Sequence, residues 1–250
     1  MTARLARTVS SLALVLLAGA CSSYYEIPIE TPIRPKLDVS AFQRVLVAGF
    51  ISGGTEDVDA NLETTRLLRS QLRTKSDLRV IDADVLPLME VATESASGAP
   101  PAAAPAPIKE EKDLEPYERV FANVEYWKKI GEEYQQPLIV TGTVMFTPNE
   151  RNSIVQREEE VYDSFGRRRV VPVRTYQERK GFVLRPKFIF IDGRTGTVMH
   201  SENFREEILY NANQTTPALS SYFELMDRLI PSFLSTLSSQ KIKGTRILLQ

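Results

Sequence analysis

Short unbroken apolar runs alternate along this chain with stretches whose apolar residues recur at helical spacing. Arg44 to Phe50 (RVLVAGF) is one such run, ending at Ser52-Gly53-Gly54-Thr55, and it reads as a strand buried on both faces. Asp57, Asp59 and Asn61 then offer N-caps for a helix to about Thr74, with Leu62, Leu68 and Leu72 on one face. A second strand is predicted at Leu78 to Ile81, followed by a short helix capped by Asp82 and carrying Val85, Leu88 and Val91. Tyr117, Val120, Val124, Trp127 and Ile130 fall at helical spacing, with Phe121 and Tyr134 widening the stripe, so one helix is expected over 117–134.

Gln135-Gln136-Pro137 ends that helix and opens a strong strand, Leu138 to Phe146, with Leu138, Val140, Val144 and Phe146 on one face. Gly142 sits among them, where another backbone can approach closely. From Arg151 to Lys180 the pattern changes to alternating, heavily charged residues around the turn signal Asp163-Ser164-Phe165-Gly166, which predicts a hairpin. Phe182 to Ile191 and Thr197 to Phe204 form a second hairpin across Asp192-Gly193-Arg194-Thr195-Gly196. The last helix starts at Thr216-Pro217 and runs to about Leu237 with a wide apolar stripe, and Thr245 to Leu249 adds a final edge strand. The order of elements argues for an α/β (α+β) fold: a single mixed-sheet domain with helices packed on it and a protruding charged β-hairpin.

The ends and one insert lie outside this pattern. Met1 to Ala20 has Arg4 and Arg7, an apolar run from Leu12 to Leu17 and the small residues Ala18-Gly19-Ala20, the order of a secretory signal. The apolar run is too short for a membrane span, which takes roughly 20 residues. Leu17-Ala18-Gly19-Ala20-Cys21 resembles the lipobox of bacterial lipoproteins. That resemblance implies that Cys21 is lipidated, with palmitate-type acyl chains, and becomes the first residue of the mature chain; a soluble secreted protein with an incidental cysteine is the alternative. Cys21 is the only cysteine, so no intramolecular disulfide forms. Ser22 next to it matches the outer-membrane sorting pattern, with the domain in the periplasm; the inner membrane and the cell surface are the other destinations open to such an anchor. Residues 21–40 read as a tether in which Pro28, Pro32 and Pro35 interrupt helix and central strand alike. The domain then spans 41–250, with a Pro/Ala-rich insert at about 95–112 whose composition predicts a solvated loop.

Loss of Arg4 and Arg7 leaves 29 of the 31 basic residues against 32 acidic ones, a near-neutral balance that argues against nucleic acid as a partner. The glycines at 53 and 54 lack both the G-x-G-x-x-G and the Walker pattern, so they read as a strand-to-helix turn. His200 is the only histidine and Asp192 fits a turn-capping carboxylate, so no catalytic set, metal site or cofactor is expected and the chain is read as a non-enzyme.

"YWKKIGEEYQQPLIVTGTV" followed by "FIDGRTGTVMHSENF" resembles the fold group of the curli secretion channel, the lipoprotein activators of penicillin-binding proteins and the amino-terminal domain of TolB. Trp127, Ile130-Gly131, Gly142-Thr143-Val144, Asp192, Thr195 and Gly196 carry the match, over roughly Arg44 to Leu237. The resemblance implies a non-enzymatic, membrane-anchored envelope lipoprotein, an adaptor or activator that binds another envelope protein or itself. A subunit of an oligomeric ring or channel is the second reading. In the curli channel the region corresponding to 151–180 builds membrane-spanning hairpins, but here charge on both faces predicts a ribbon that stays in water. Glu158, Glu159 and Glu160 are expected to face Arg167, Arg168 and Arg169 across it. Phe165, Arg167, Arg168, Glu158 and Glu159 are the candidate partner contacts if this hairpin binds another protein.

Overall fold

The computed structural model describes residues 24–97, 108–162, 164–211, 213–214 and 216–249. In chain order the elements are β1 (Tyr24–Ile33), β2 (Arg44–Gly54), α1 (Ala60–Lys75), β3 (Arg79–Val80), α2 (Leu88–Ser97), a 3-10 segment (Glu111–Ala122) and α3 (Val124–Glu133). There follow β4 (Leu138–Tyr162), β5 (Arg168–Asp192), β6 (Val198–Asn203), β7 (Glu206–Asn211), α4 (Ala218–Leu237) and β8 (Gln240–Leu249). They divide into two units, one of residues 36–237 and one formed by the two ends of the chain.

In the larger unit the sheet order is β3-β2-β4-β5-β6, with β7 also on β5. β2 runs parallel to β3 and β4, and the remaining pairs are antiparallel, so the sheet is mixed. Strict alternation on β4 sends Leu138, Val140, Val144 and Phe146 to one face and Ile139 and Met145 to the other. On the first face they meet α1 and α4 through Leu68, Leu72, Tyr222, Leu225 and Phe233, among others. On the second they meet α2, the 3-10 segment and α3 through Leu88, Leu114, Phe121 and Trp127. A sheet covered on both faces explains why β2 reads as a continuous apolar run.

Local chemistry fixes the helices. The Asp59 side chain accepts the Leu62 N–H at 3.0 Å and starts α1. The single helix expected over 117–134 is instead two segments, because Asn123 caps a new start by accepting the Tyr126 N–H at 3.1 Å. Val120, Phe121, Trp127 and Ile130 remain buried across the break, whereas Val124 is exposed. The indole N–H of Trp127 donates to the Val120 carbonyl at 2.8 Å and ties the two segments together. Asp82 caps no helix: residues 81–87 are extended or irregular and α2 begins only at Leu88. Tyr222 of α4 is fully buried, with its hydroxyl against Thr64 of α1, and burial pushes its phenol well above the usual tyrosine range.

Gly53 and Gly54 belong to β2 itself. A Cβ on Gly54 (φ 108°) would lie 1.9 Å from the Phe146 carbonyl oxygen, and one on Gly53 would strike Ile108. The glycines are therefore demanded by close packing of neighbouring backbone. Residues 98–107 of the Pro/Ala-rich insert lie outside the described residues, and Ile108 just after them is buried in the core, with its carbonyl accepting the Gly54 N–H.

In the smaller unit β1 and β8 form an uninterrupted antiparallel ribbon from Tyr24↔Leu249 to Ile33↔Gln240. This corrects two expectations: residues 24–33 of the tether form a strand, and the C-terminal strand pairs with it instead of edging the main sheet. Pro28 and Pro32 have the same strand parity, so a two-stranded ribbon can turn both missing N–H positions to its open side.

Candidate functional site

β4 and β5 are each 25 residues long and pair without interruption from Leu138↔Asp192 to Tyr162↔Arg168. Their inner halves are the centre of the sheet. β2 accompanies β4 only as far as Phe146, and β7 leaves β5 at Arg179. From Asn152 to Tyr162 and back from Arg168 to Glu178 the two strands pair only with each other among the described residues, with one side-chain bond from Gln177 to Asn211 of β7 at the base. At about 3.4 Å per residue this ribbon projects roughly 35 Å.

Both faces of the ribbon are charged. Glu158, Glu160, Arg168, Arg174 and Glu178 share the face that continues the α1–α4 side of the sheet, and Arg157, Glu159, Arg169 and Arg179 share the other. Neither face is apolar, as the sequence predicts. No helix among the described residues is long and apolar enough to cross a membrane.

The acidic triplet does not face the basic one. The ladder starts at Tyr162↔Arg168, so Glu160, Glu159 and Glu158 stand opposite Val170, Val171 and Pro172, while Arg167 remains in the loop. A turn centred on Phe165 requires that offset of two or more residues. Arg168 instead reaches Glu160 diagonally at 3.2 Å, both groups being well solvated. Phe165 at the tip is 82% exposed, and the Arg167 guanidinium lies 5.4 Å from its ring centroid. The side chains of Glu158 and Glu159 make no hydrogen bond or ion pair among the described residues. Cys21 lies outside the described residues.

The sequence reading missed the apolar side chains on this ribbon. Ile154 and Tyr176 are directly opposite each other and 72% and 63% exposed. Tyr162, Val161 and Val170 are exposed nearer the tip. Their signal was present, as β-branched and aromatic residues at alternate positions, but the surrounding charge obscured it. An unsupported two-stranded ribbon is marginal in water, and exposed apolar pairs on it mark a surface that gains from being covered.

The remaining candidates resolve into structural roles. The Asp192 carboxylate accepts the Arg194 backbone N–H at 2.8 Å and two guanidinium N–H groups, and these bonds hold it below the usual carboxylate range. Arg194 also lies over the Phe42 ring at 4.7 Å, so the turn is tied to the core. His200 lies 3.5 Å from Glu202 and beside Phe190. A surface cleft of about 380 Å³ is bordered by Glu118, Arg185, Lys187 and Arg205, and Lys187 is bonded there to both oxygens of Glu118 at 2.8 Å. No group of three or more potential metal-binding side chains occurs among the described residues.

No protein-family model matches the chain, and no curated protein does. Among solved structures it is similar to lipoprotein GNA1162 from Neisseria meningitidis, at 12% identity and a TM-score of 0.35 over 77% of this chain and 98% of that one. It is also similar to a PelC dodecamer from Paraburkholderia phytofirmans, at 13% identity and a TM-score of 0.36 over 88% and 99%. The protein CT253 from Chlamydia trachomatis gives 10% identity and a TM-score of 0.33 over 77% and 95%. At such scores none of these proteins lends its role to this chain.

Proposed function

We propose that this chain is an envelope lipoprotein, anchored through Cys21 to the outer membrane with its domain in the periplasm, and that it works as a non-enzymatic docking or assembly module. The observation that carries the reading is the projecting end of the β4–β5 hairpin, which presents Ile154, Tyr176, Tyr162 and Phe165 to solvent far from the sheet that supports it. A domain core does not need so long an arm; a contact made at a distance does. The charges on both faces favour an aqueous protein surface as the counterpart over lipid, where each buried charge costs about 2–4 kcal/mol. Assembly of copies into a ring is the second form of the same reading, favoured by the opposite charge of the Glu158–Glu160 arm and the Arg167–Arg169 arm.

The test is a photoreactive amino acid in place of Phe165 in living cells, with the adducts identified by mass spectrometry. A discrete protein adduct supports docking, and self-adducts alone select the assembly form. No protein adduct from Phe165, Tyr176 or Ile154 overturns it. The anchor is tested separately: Cys21→Ser should leave the protein in the soluble fraction, and continued membrane association would refute lipidation at that residue.

A further inference from the structure

The two long edges of the ribbon differ, and backbone direction shows how. The Pro186 carbonyl accepts the Phe204 N–H, so residue 186 turns its backbone groups away from β4. The β4–β5 register is unbroken, so every β5 residue of the same parity does likewise, Pro172 included. The outer edge of β5 thus lacks a donor in the middle of its free length, the device by which natural sheets blunt an exposed edge. On β4 the residues facing away from β5 are those with the parity of Phe146, whose carbonyl accepts the Thr55 N–H. Beyond Pro148 these are Glu150, Asn152, Ile154, Gln156, Glu158 and Glu160, all exposed, with no proline and no bulge among them. Their N–H and C=O groups point outward with no strand beside them among the described residues.

The β4 edge also carries its own charge signature. Glu158, Glu159 and Glu160 lie together near its outer end, and among the described residues Glu160 alone of the three has an ion-pair partner, Arg168. Two β4 edges overlapping at their outer ends about a two-fold axis would bring these carboxylates together, so that pairing with a second β4 edge is disfavoured. Pairing with a neighbour's β5 edge meets the Pro172 gap.

We infer that the outer edge of β4, from Glu150 to Glu160, takes up an extended basic segment of a partner protein as an added strand, its lysine or arginine side chains meeting Glu158, Glu159 and Glu160. This rests on the ribbon being a docking arm and specifies which edge docks, by which mode and with what chemistry. Main-chain hydrogen bonds supply affinity in such strand addition, and cross-strand charge supplies selectivity.

The probe is a synthetic eight-residue peptide alternating lysine with valine, against a counterpart with glutamate for lysine, added to the purified full-length protein. The lysine peptide should bind at least tenfold more tightly and slow hydrogen exchange at the amides of Asn152, Ile154, Gln156 and Glu158. The odd-numbered amides between them are already bonded to β5. Gln156→Pro removes one outward donor without touching the β4–β5 ladder and should weaken binding at least tenfold. Arg174→Pro, outward on the opposite edge, should leave it unchanged. If Gln156→Pro disturbs the ribbon by circular dichroism, reversing Glu158, Glu159 and Glu160 to lysine decides instead, and should switch preference to the glutamate peptide. Equal binding of both peptides, no protection at those amides, or a preference unmoved by charge reversal overturns the inference, as does a homodimer that Gln156→Pro dissolves. A Phe165 adduct to a partner that persists in Gln156→Pro leaves the docking arm standing and defeats the edge; no adduct in the wild type defeats the arm itself.

Discussion

Gly142→Ala tests whether the sheet centre sets the position of the arm. Gly142 sits in β4 with φ 144°, between Phe50 of β2 and Phe188 of β5. A Cβ there would lie 1.8 Å from the Lys187 carbonyl oxygen and 2.9 Å from its carbon, so the obstacle is backbone. Real Cβ contacts essentially never fall below 3.0 Å, so β4 and β5 must part by more than an ångström at their centre. Opening the ladder there loses about two backbone hydrogen bonds at ~1 kcal/mol each, and holding alanine at that φ adds about 1–3 kcal/mol. The expected destabilisation is therefore about 3–5 kcal/mol, a large part of the ~5–15 kcal/mol that holds a domain folded. The assay is urea unfolding followed by the fluorescence of Trp127, the only tryptophan and fully buried. Gly166→Ala at the ribbon turn is the control: its φ is 74° but an added Cβ meets nothing within 4 Å, so only ~1 kcal/mol of backbone strain is expected. A Gly142→Ala protein within about 1 kcal/mol of the Gly166→Ala protein would refute the steric argument.

Three further outcomes are expected. Gln135 and Gln136 both have positive φ, 64° and 56°, after α3, so Gln136→Gly should relieve left-handed strain and raise stability by about 1 kcal/mol, read as a Tm higher by a few degrees; an unchanged or lower Tm would count against it. Trp127→Phe keeps most of the buried ring but removes the indole's bond to the Val120 carbonyl, which retains the Asn123 N–H at 3.2 Å, and should cost about 1 kcal/mol by circular dichroism in urea, against a near-neutral result if that bond holds nothing. Asp192 titrates below its usual value in the fold because of Arg194. Its contribution is therefore complete above the unfolded carboxyl value of about 3.9 and lost as pH falls through that value toward the lower folded one. Wild-type urea midpoints should drop more steeply below about pH 4 than those of Asp192→Asn, and parallel curves would contradict the linkage.

Much of the core was legible because its causes are local or periodic. Asp59 starts α1 as its side-chain chemistry demands. Leu138, Val140, Val144 and Phe146 share a face because strand period is two. Gly142 marks a close backbone approach, as glycine in a strong strand does. Asp192 caps its own turn. The break at Asn123 was less legible, since helical periodicity continues through it and only the cap geometry separates the two segments. The acidic and basic triplets of the ribbon were visible, but their register depends on which residues the loop consumes.

The amino-acid sequence by itself determined the alternation of strands and helices, the buried positions within each, the charged character of residues 151–180 and the place of the lone cysteine, because each depends on residue chemistry and spacing along the chain. Tertiary structure decided that β4 and β5 run unbroken from the core into the ribbon, that β7 supports only the ribbon's base, that β8 pairs with β1, and that no described strand covers the outer β4 edge while Pro172 lies on the other. Those outcomes depend on which strands find each other across long separations, and pairing energy there comes from whole faces of side chains meeting, which no single stretch contains.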